Sequence, residues 1–277
     1  MHRVILLAFL CLPSVTTLVP APAAQEPSWT LAWADEFDTD GPPDPRKWTF
    51  ETGFVRNDEL QWYQPQNAIS RGGLLVIEAR RERVRNPGFV AGSTDWKTSR
   101  EFAEYTSASL MTRGRAAWRY GRFEMRGRID TRPGLWPAWW TLGVEGEWPD
   151  GGEIDIMEFY RGLLLANVAW GTGERWVPAW DAIRTPVATL GEGWSERFHV
   201  WRMDWDAERI RLYVDDRLLN ETPVAPTIDR ARKTEPFNQP HYQLLNLAIG
   251  GTNGGDPSAT TFPARFEVDY VRVYRSN

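Results

Sequence analysis

Gly151-Gly152-Glu153-Ile154-Asp155-Ile156-Met157-Glu158-Phe159-Tyr160 alternates acidic and apolar side chains from Glu153 to Ile156 and then slips by one. In an extended strand successive side chains point to opposite faces, so Glu153 and Asp155 share one face and Ile154 and Ile156 the other. Strict alternation would carry Glu158 to the isoleucine face, where an ionised carboxylate is costly. A one-residue bulge near Ile156-Met157 returns it to the face of the other acids. A helix explains the pattern less well: Glu153 and Glu158 would lie on different faces, and Gly151-Gly152 is a poor helix start. The stretch is predicted to be a bulged strand with three acids on one face and a core on the other.

Strand-like runs recur on both sides of it. They include Gly73–Ala79, Ala108–Thr112, Arg122–Ile129, Phe198–Trp205, Ile210–Val214 and Phe266–Tyr274, many with the period of two expected of half-buried strands. Asp215-Asp216 has the form of a hairpin turn. The basic run Arg80-Arg81-Glu82-Arg83-Val84-Arg85 before Asn86-Pro87-Gly88 reads as a solvated strand end and turn rather than an anion site. Gly and Pro punctuate the gaps, and no segment holds a helical stripe. The expected fold is all-β, an antiparallel sandwich in one domain over residues 25–277.

Composition narrows the chemistry. The basic start His2-Arg3, the short apolar run Val4–Leu12 and Ala21-Pro22-Ala23 describe a secretory signal peptide over residues 1–24, too short for a stable membrane span. Secretion or a periplasmic location follows, with no membrane attachment once the signal is removed. Cys11 is the only cysteine, so the mature chain has no disulfide, catalytic thiol or cysteine-based zinc site. Its two histidines, His199 and His241, lack the spacing of a zinc helix. The net charge of −5 points to no nucleic-acid partner. Sixteen tryptophans fit a large β core, and they also fit stacking platforms for flat, C–H-lined ligands such as sugar rings.

Chemistry must then rest on carboxylates. Two of them facing each other along a groove are the machinery of glycoside hydrolysis: one attacks the anomeric carbon and the other, kept protonated, protonates the leaving oxygen. A third between them raises the proton affinity of both. A calcium site or an exposed acidic strand are the alternatives. The first lacks the Asn, Asp and Gly ligands of an ion loop, and the second would hardly carry Ile154, Ile156, Met157 and Phe159.

Glu153-Ile154-Asp155-Ile156-Met157-Glu158 resembles the E-x-D-x-x-E signature of glycoside hydrolase family 16 in its bulged form, and the chain is similar to the laminarinase-type endo-β-1,3-glucanases. The likeness spans nearly the whole mature chain: Trp33–Phe37, Asn57–Tyr63, Tyr120–Arg126, Gly134–Trp140, Asn246–Gly251 and Asp269–Tyr274 each resemble a family segment. It implies a β-jelly roll of the concanavalin A-like kind with a concave cleft, retention of configuration, and no catalytic cofactor. It also implies Glu153 as nucleophile, Glu158 as acid/base and Asp155 as the residue that orients and tunes Glu153. Trp136 and Trp140 would be sugar platforms, and Asn57, Glu59 and Arg122 would bind sugars on the nonreducing side. Many relatives hold a structural calcium, for which Asp269 and Gly73 stand in the matching positions; pairing of Asp269 with an arginine is the competing expectation.

The chain also departs from the family. Asn167-Val168-Ala169-Trp170-Gly171 stands where laminarinases carry T-x-H-Y-G, so Ala169 replaces the expected histidine and Trp170 is expected to compensate in the cleft. The loop Gly251–Asp256 lacks the tryptophan often found there. The expectation is therefore a secreted monomer that cleaves β-1,3 or mixed β-1,3/1,4 glucan. The same machinery acting on a galactan is a second reading, for which Arg161 and Arg175 could face sulfate groups. A catalytically silent, lectin-like carbohydrate binder is the third; binding alone has no use for the three acids.

Overall fold

The computed structural model describes residues 28–277; the expected signal peptide and Cys11 lie outside the described residues. Among those residues the strands run, in chain order, β1 (Trp29–Asp35), β2 (Thr49–Phe50), β3 (Gln61–Tyr63), β4 (Ala68–Arg71), β5 (Leu74–Ala79) and β6 (Val84–Arg85). Next come β7 (Phe102–Ala103), β8 (Tyr105–Ser107), β9 (Ser109–Met111), β10 (Gly121–Ile129), β11 (Leu135–Gly143), β12 (Glu153–Tyr160) and β13 (Leu163–Gly171). The last are β14 (Pro178–Pro186), β15 (His199–Trp205), β16 (Arg209–Val214), β17 (Arg217–Pro223), β18 (His241–Ile249) and β19 (Ala264–Ser276). The one α-helix among them is a single turn, Gly251–Gly254.

Two antiparallel sheets face each other. The outer sheet has the order β17-β16-β15-β10-β19-β5-β4, and β1 pairs with the C-terminal half of β19 beyond the stretch that β5 covers. The inner sheet has the order β14-β13-β12-β11-β18-β9-β2. Long connections between sequential strands in different sheets make this the expected jelly-roll sandwich.

Alternation decides what lies between the layers. β10 buries Phe123, Met125 and Ile129 and turns Arg122, Glu124, Arg126 and Arg128 outward. β12 answers from the inner sheet with Ile154, Ile156, Met157 and Phe159, none more than 1% exposed. Burial of such side chains stabilises by about 1.5–3 kcal/mol each. Trp48, Trp139, Trp201 and Trp205 are fully buried, so a good part of the tryptophan content is core.

The turns follow their sequences. Asp215 and Asp216, both at positive φ, form the hairpin between β16 and β17. Gly72-Gly73 does the same between β4 and β5, also with positive φ at both positions. In the basic run, Arg80 pairs with Glu78 at 2.7 Å, and Arg83 lies 3.8 Å from the Phe102 ring centroid while pairing with Glu104. It is a solvated surface ladder.

Candidate active site

The slip in the acidic stretch is a bulge. Against β13, Asp155 stands opposite Asn167 and Glu158 opposite Leu165, so Ile156 and Met157 together face the single residue Ala166. Both go to the core, and Glu158 returns to the face of Glu153 and Asp155. The doublet before the strand has its own reason. Gly152 sits at φ +81°, and a Cβ there would come within 2.8 Å of Pro236 and 2.9 Å of Phe237.

The three acids lie on the floor of a cleft of about 670 Å³ that crosses the inner sheet. On one side of them are Arg56, Asn57, Glu59 and Asn246; on the other are Trp180, Ala182 and Arg184 of the edge strand β14. Each acid has a placed donor. The Trp148 indole donates to Glu153 Oε2 at 2.6 Å, and the Trp136 indole to Glu158 Oε1 at 2.7 Å. Asn167 Nδ2 lies 3.2 Å from both Asp155 Oδ2 and Glu158 Oε2.

These contacts divide the protons. Burial drives Asp155 well above the usual carboxylate range, and the negative charges of Glu153 and Glu158 on either side push it further. It keeps its proton and shares it with Glu153 through a hydrogen bond. Burial also raises Glu153, but the Trp148 N–H, the proton from Asp155 and the charge of Arg56 all favour its carboxylate form. Glu158 is pushed up to about 7 by burial and by the charge of Glu153, against the opposing pull of the Trp136 N–H and Arg184. The arrangement holds one carboxylate ready to attack and one acid ready to donate near neutral pH.

The family model described as Glycosyl hydrolases family 16 matches residues 62–272. The chain belongs to glycoside hydrolase family 16. It is 41% identical over 276 residues to the beta-glucanase of Rhodothermus marinus, covering 90% of this chain and 86% of that one. The catalytic domain of an endo-1,3-beta-glucanase (laminarinase) from Thermotoga petrophila is 33% identical with a TM-score of 0.75, covering 91% of this chain and 100% of that domain. A solved chain from work on endo-acting O-glycanases of the human gut microbiota that initiate mucin breakdown is 32% identical with a TM-score of 0.81, covering 90% and 91%. Family 16 hydrolysis needs no catalytic cofactor.

Several other residues expected at the site of this family 16 enzyme are in the cleft. Asn57 is exposed on its wall at positive φ, and Glu59 beside it is 2% exposed, raised by burial and hydrogen bonded to Gln61 at 2.6 Å. Trp136 and Trp140 line the floor, and both are buried, at 6% and 8% exposure; over Trp140 a cation also sits. The Arg56 guanidinium lies over its ring at 5.1 Å, and its N–H is used by Asn246 at 2.7 Å. Trp140 thus carries an arginine where an open sugar platform is expected.

Two expectations are corrected, Arg122 by the sheet its strand joins and Trp170 by parity. Arg122 is not in the cleft: it projects from the outer face of the other sheet, bidentate to Asp204 at 2.7 and 2.9 Å and stacked on Trp29. Trp170 does not compensate for Ala169. Ala169 pairs with Glu153 and shares its face, so Trp170 points the other way and packs against the core. Arg175 is held by Glu147 at 2.9 Å and Arg161 donates to the Thr252 carbonyl, both outside the cleft lining. The arginines that do line it are Arg56 and Arg184.

The calcium expectation meets a competing cation. Asp269 sits at a β19 bulge with its Oδ2 2.5 Å from Arg126 Nη1, and Gly73 lies in the hairpin between β4 and β5. Among the described residues no cluster of three or more acidic, His or Cys side chains could hold a metal. A carboxylate already neutralised by a guanidinium does not fit a calcium ligand.

Trp148, Trp180 and Arg184 were not foreseen. Trp148 stands five residues before the nucleophile in a loop whose path no alternation describes. For Trp180 the sequence offers little, because apolar and polar residues in β14 change phase at Ala182-Ile183 and its burial is irregular.

Proposed function

We propose that the chain is a secreted, monomeric endo-hydrolase that cleaves β-1,3-glucan, or mixed β-1,3/1,4-glucan, with retention by double displacement. The division of protons among the three acids carries the reading. Glu158 gives its proton to the glycosidic oxygen as Glu153 Oε attacks the anomeric carbon, and the leaving chain departs as an alcohol. Water then enters: its oxygen bonds to the anomeric carbon as its proton passes to the Glu158 carboxylate, and the bond to Glu153 Oε breaks to release that carboxylate. Asp155 keeps Glu153 oriented and returns stabilisation as the carboxylate re-forms. The cleft runs across the inner sheet from β18 to its edge strand β14, which supports endo action, because a groove reaching the sheet edge accepts the middle of a chain. Asn57 and Glu59 serve the nonreducing side. The leader-like N-terminal segment supports secretion.

A galactan or mucin-type glycan is the second reading. It is favoured by the TM-score with the O-glycanase structure, by Ala169 in place of the expected histidine and by Arg184 in the cleft. Reducing-end release by the purified mature chain from laminarin, lichenan, agarose, porphyran, carrageenan and mucin separates the two. Early oligosaccharides from laminarin support the first; release confined to a galactan or mucin overturns it.

A further inference from the structure

Trp180 has no counterpart in the reading so far. It is 46% exposed, yet it lines the cleft rather than a random patch of surface. It stands opposite Ala169, which in turn stands opposite Glu153. Directly opposed residues of antiparallel strands project to the same face. Glu153, Ala169 and Trp180 therefore form a row across three strands, from the nucleophile to the sheet edge, about 10 Å long by strand spacing. The middle position is a single methyl, itself fully buried under its neighbours, so Ala169 adds no bulk of its own to the row.

The other cleft tryptophans are engaged. Trp140 is covered by Arg56, Trp136 is edge-on to Tyr160 at 5.5 Å with its N–H on Glu158, and Trp148 is bonded to Glu153. Among the described residues no ring or cation is stacked on Trp180. Its neighbour on the same face is Ala182, which leaves the groove beside the indole open. A large apolar face left uncovered in a cleft that also carries acids and amides fits the C–H face of a pyranose.

We propose that Trp180 is the sugar platform on the leaving-group side and that, by holding a saccharide there, it sets how often a sugar hydroxyl rather than water opens the glycosyl–enzyme intermediate. This rests on the reading that Asn57 and Glu59 serve the nonreducing side, which puts β14 on the other. In the transfer step the acceptor hydroxyl oxygen bonds to the anomeric carbon, its proton passes to the Glu158 carboxylate, and the bond to Glu153 Oε breaks to release that carboxylate. No other reactant is consumed.

The test compares wild type, Trp180→Ala and Trp180→Phe on whichever polymer of the panel the wild type cleaves. Each is also assayed on an aryl β-glycoside whose sugars occupy only the nonreducing side. For Trp180→Ala we expect kcat/KM on polymer to fall roughly tenfold, the ratio of transfer products to hydrolysis products on oligosaccharides to fall several-fold, and aryl-glycoside turnover to change by less than about twofold. Trp180→Phe should recover most of both losses. An unchanged polymer rate and transfer ratio overturns the proposal, and so does an equal loss on polymer and aryl glycoside. A wild type silent on laminarin but active on another polymer overturns the substrate reading alone, and the variant comparison on that polymer still decides the role of Trp180.

Discussion

Replacing Trp136 by phenylalanine removes one N–H from Glu158 while keeping an aromatic ring against Tyr160. That N–H, 2.7 Å from Oε1, holds the acid/base down toward its carboxylate form. Hydrogen bonds to charged groups contribute about 1.5–3 kcal/mol, and one pH unit corresponds to about 1.36 kcal/mol, so outright loss would raise the group by about one to two pH units. Asn167 still reaches the other oxygen at 3.2 Å, and cleft water can replace part of the bond. The lower end is therefore expected. In the wild type the basic limb of kcat/KM should fall near the value of about 7 at which Glu158 sits. In Trp136→Phe it should move up to about 8, because the acid keeps its proton longer. The assay is kcat/KM on a soluble substrate from pH 5 to 10. The height of the curve is free to drop, since Trp136 also lines the sugar path; only the position of the limb is diagnostic. A limb that stays in place or moves down would refute the account of how Glu158 is tuned.

Other consequences are equally direct. Glu153→Gln should lower turnover by on the order of a thousandfold or more with unchanged far-UV circular dichroism; a variant keeping most of its activity removes Glu153 as nucleophile. Glu158→Ala should keep slow turnover of an activated aryl glycoside that azide accelerates, and no rescue alongside normal trapping of the nucleophile counts against the acid/base role. Deletion of Ile156 would remove the bulge yet leave Glu158 on the face of Glu153 and Asp155 by strict alternation, so it should lower the melting temperature through the lost core side chain while keeping measurable activity, whereas Ile156→Val should cost only about 0.5–1.5 kcal/mol. Complete loss of activity in a folded deletion variant would count against the parity account. His241 is wholly buried between Thr141 and the Pro236 carbonyl, and burial depresses it to about 4. Its folded value lies below its unfolded one, so the unfolded chain takes the proton first, and stability present above about pH 6.5 is lost as pH falls toward 4. The loss from this residue is about 3 kcal/mol, read as a shallower pH dependence of denaturant unfolding in His241→Gln.

Much of this was legible because a β-strand writes its two faces into the sequence. The slip at Ile156-Met157 gave the bulge, and the alternation of β10, β15 and β19 gave the sandwich. The same parity, applied to Ala169-Trp170, separates the two residues onto opposite faces, and Trp170 was misplaced by overlooking it. What parity cannot tell is which sheet a strand joins. Arg122 alternates correctly with buried neighbours, but its outward face belongs to the sheet away from the cleft. Contacts between segments distant in sequence were also out of reach. Arg56 over Trp140 brings together residues 84 positions apart, and Trp148 meets Glu153 through a loop that obeys no period.

The way β19 is shared between two partners bears on how this enzyme could be built into larger ones. Because β1 runs along its C-terminal half, the first and last described residues meet: Asn277 N donates to the Ser28 carbonyl at 3.1 Å, and its side-chain amide to Ser28 Oγ at 2.9 Å. Both ends therefore leave from one edge of the outer sheet, with the sandwich between them and the cleft. A short linker joining residues 277 and 28, with new ends opened at an exposed turn such as Asp215-Asp216, would leave every acid in place. A carbohydrate-binding module fused at either end would likewise hang behind the sheet, free to grip the same polysaccharide without standing in the groove.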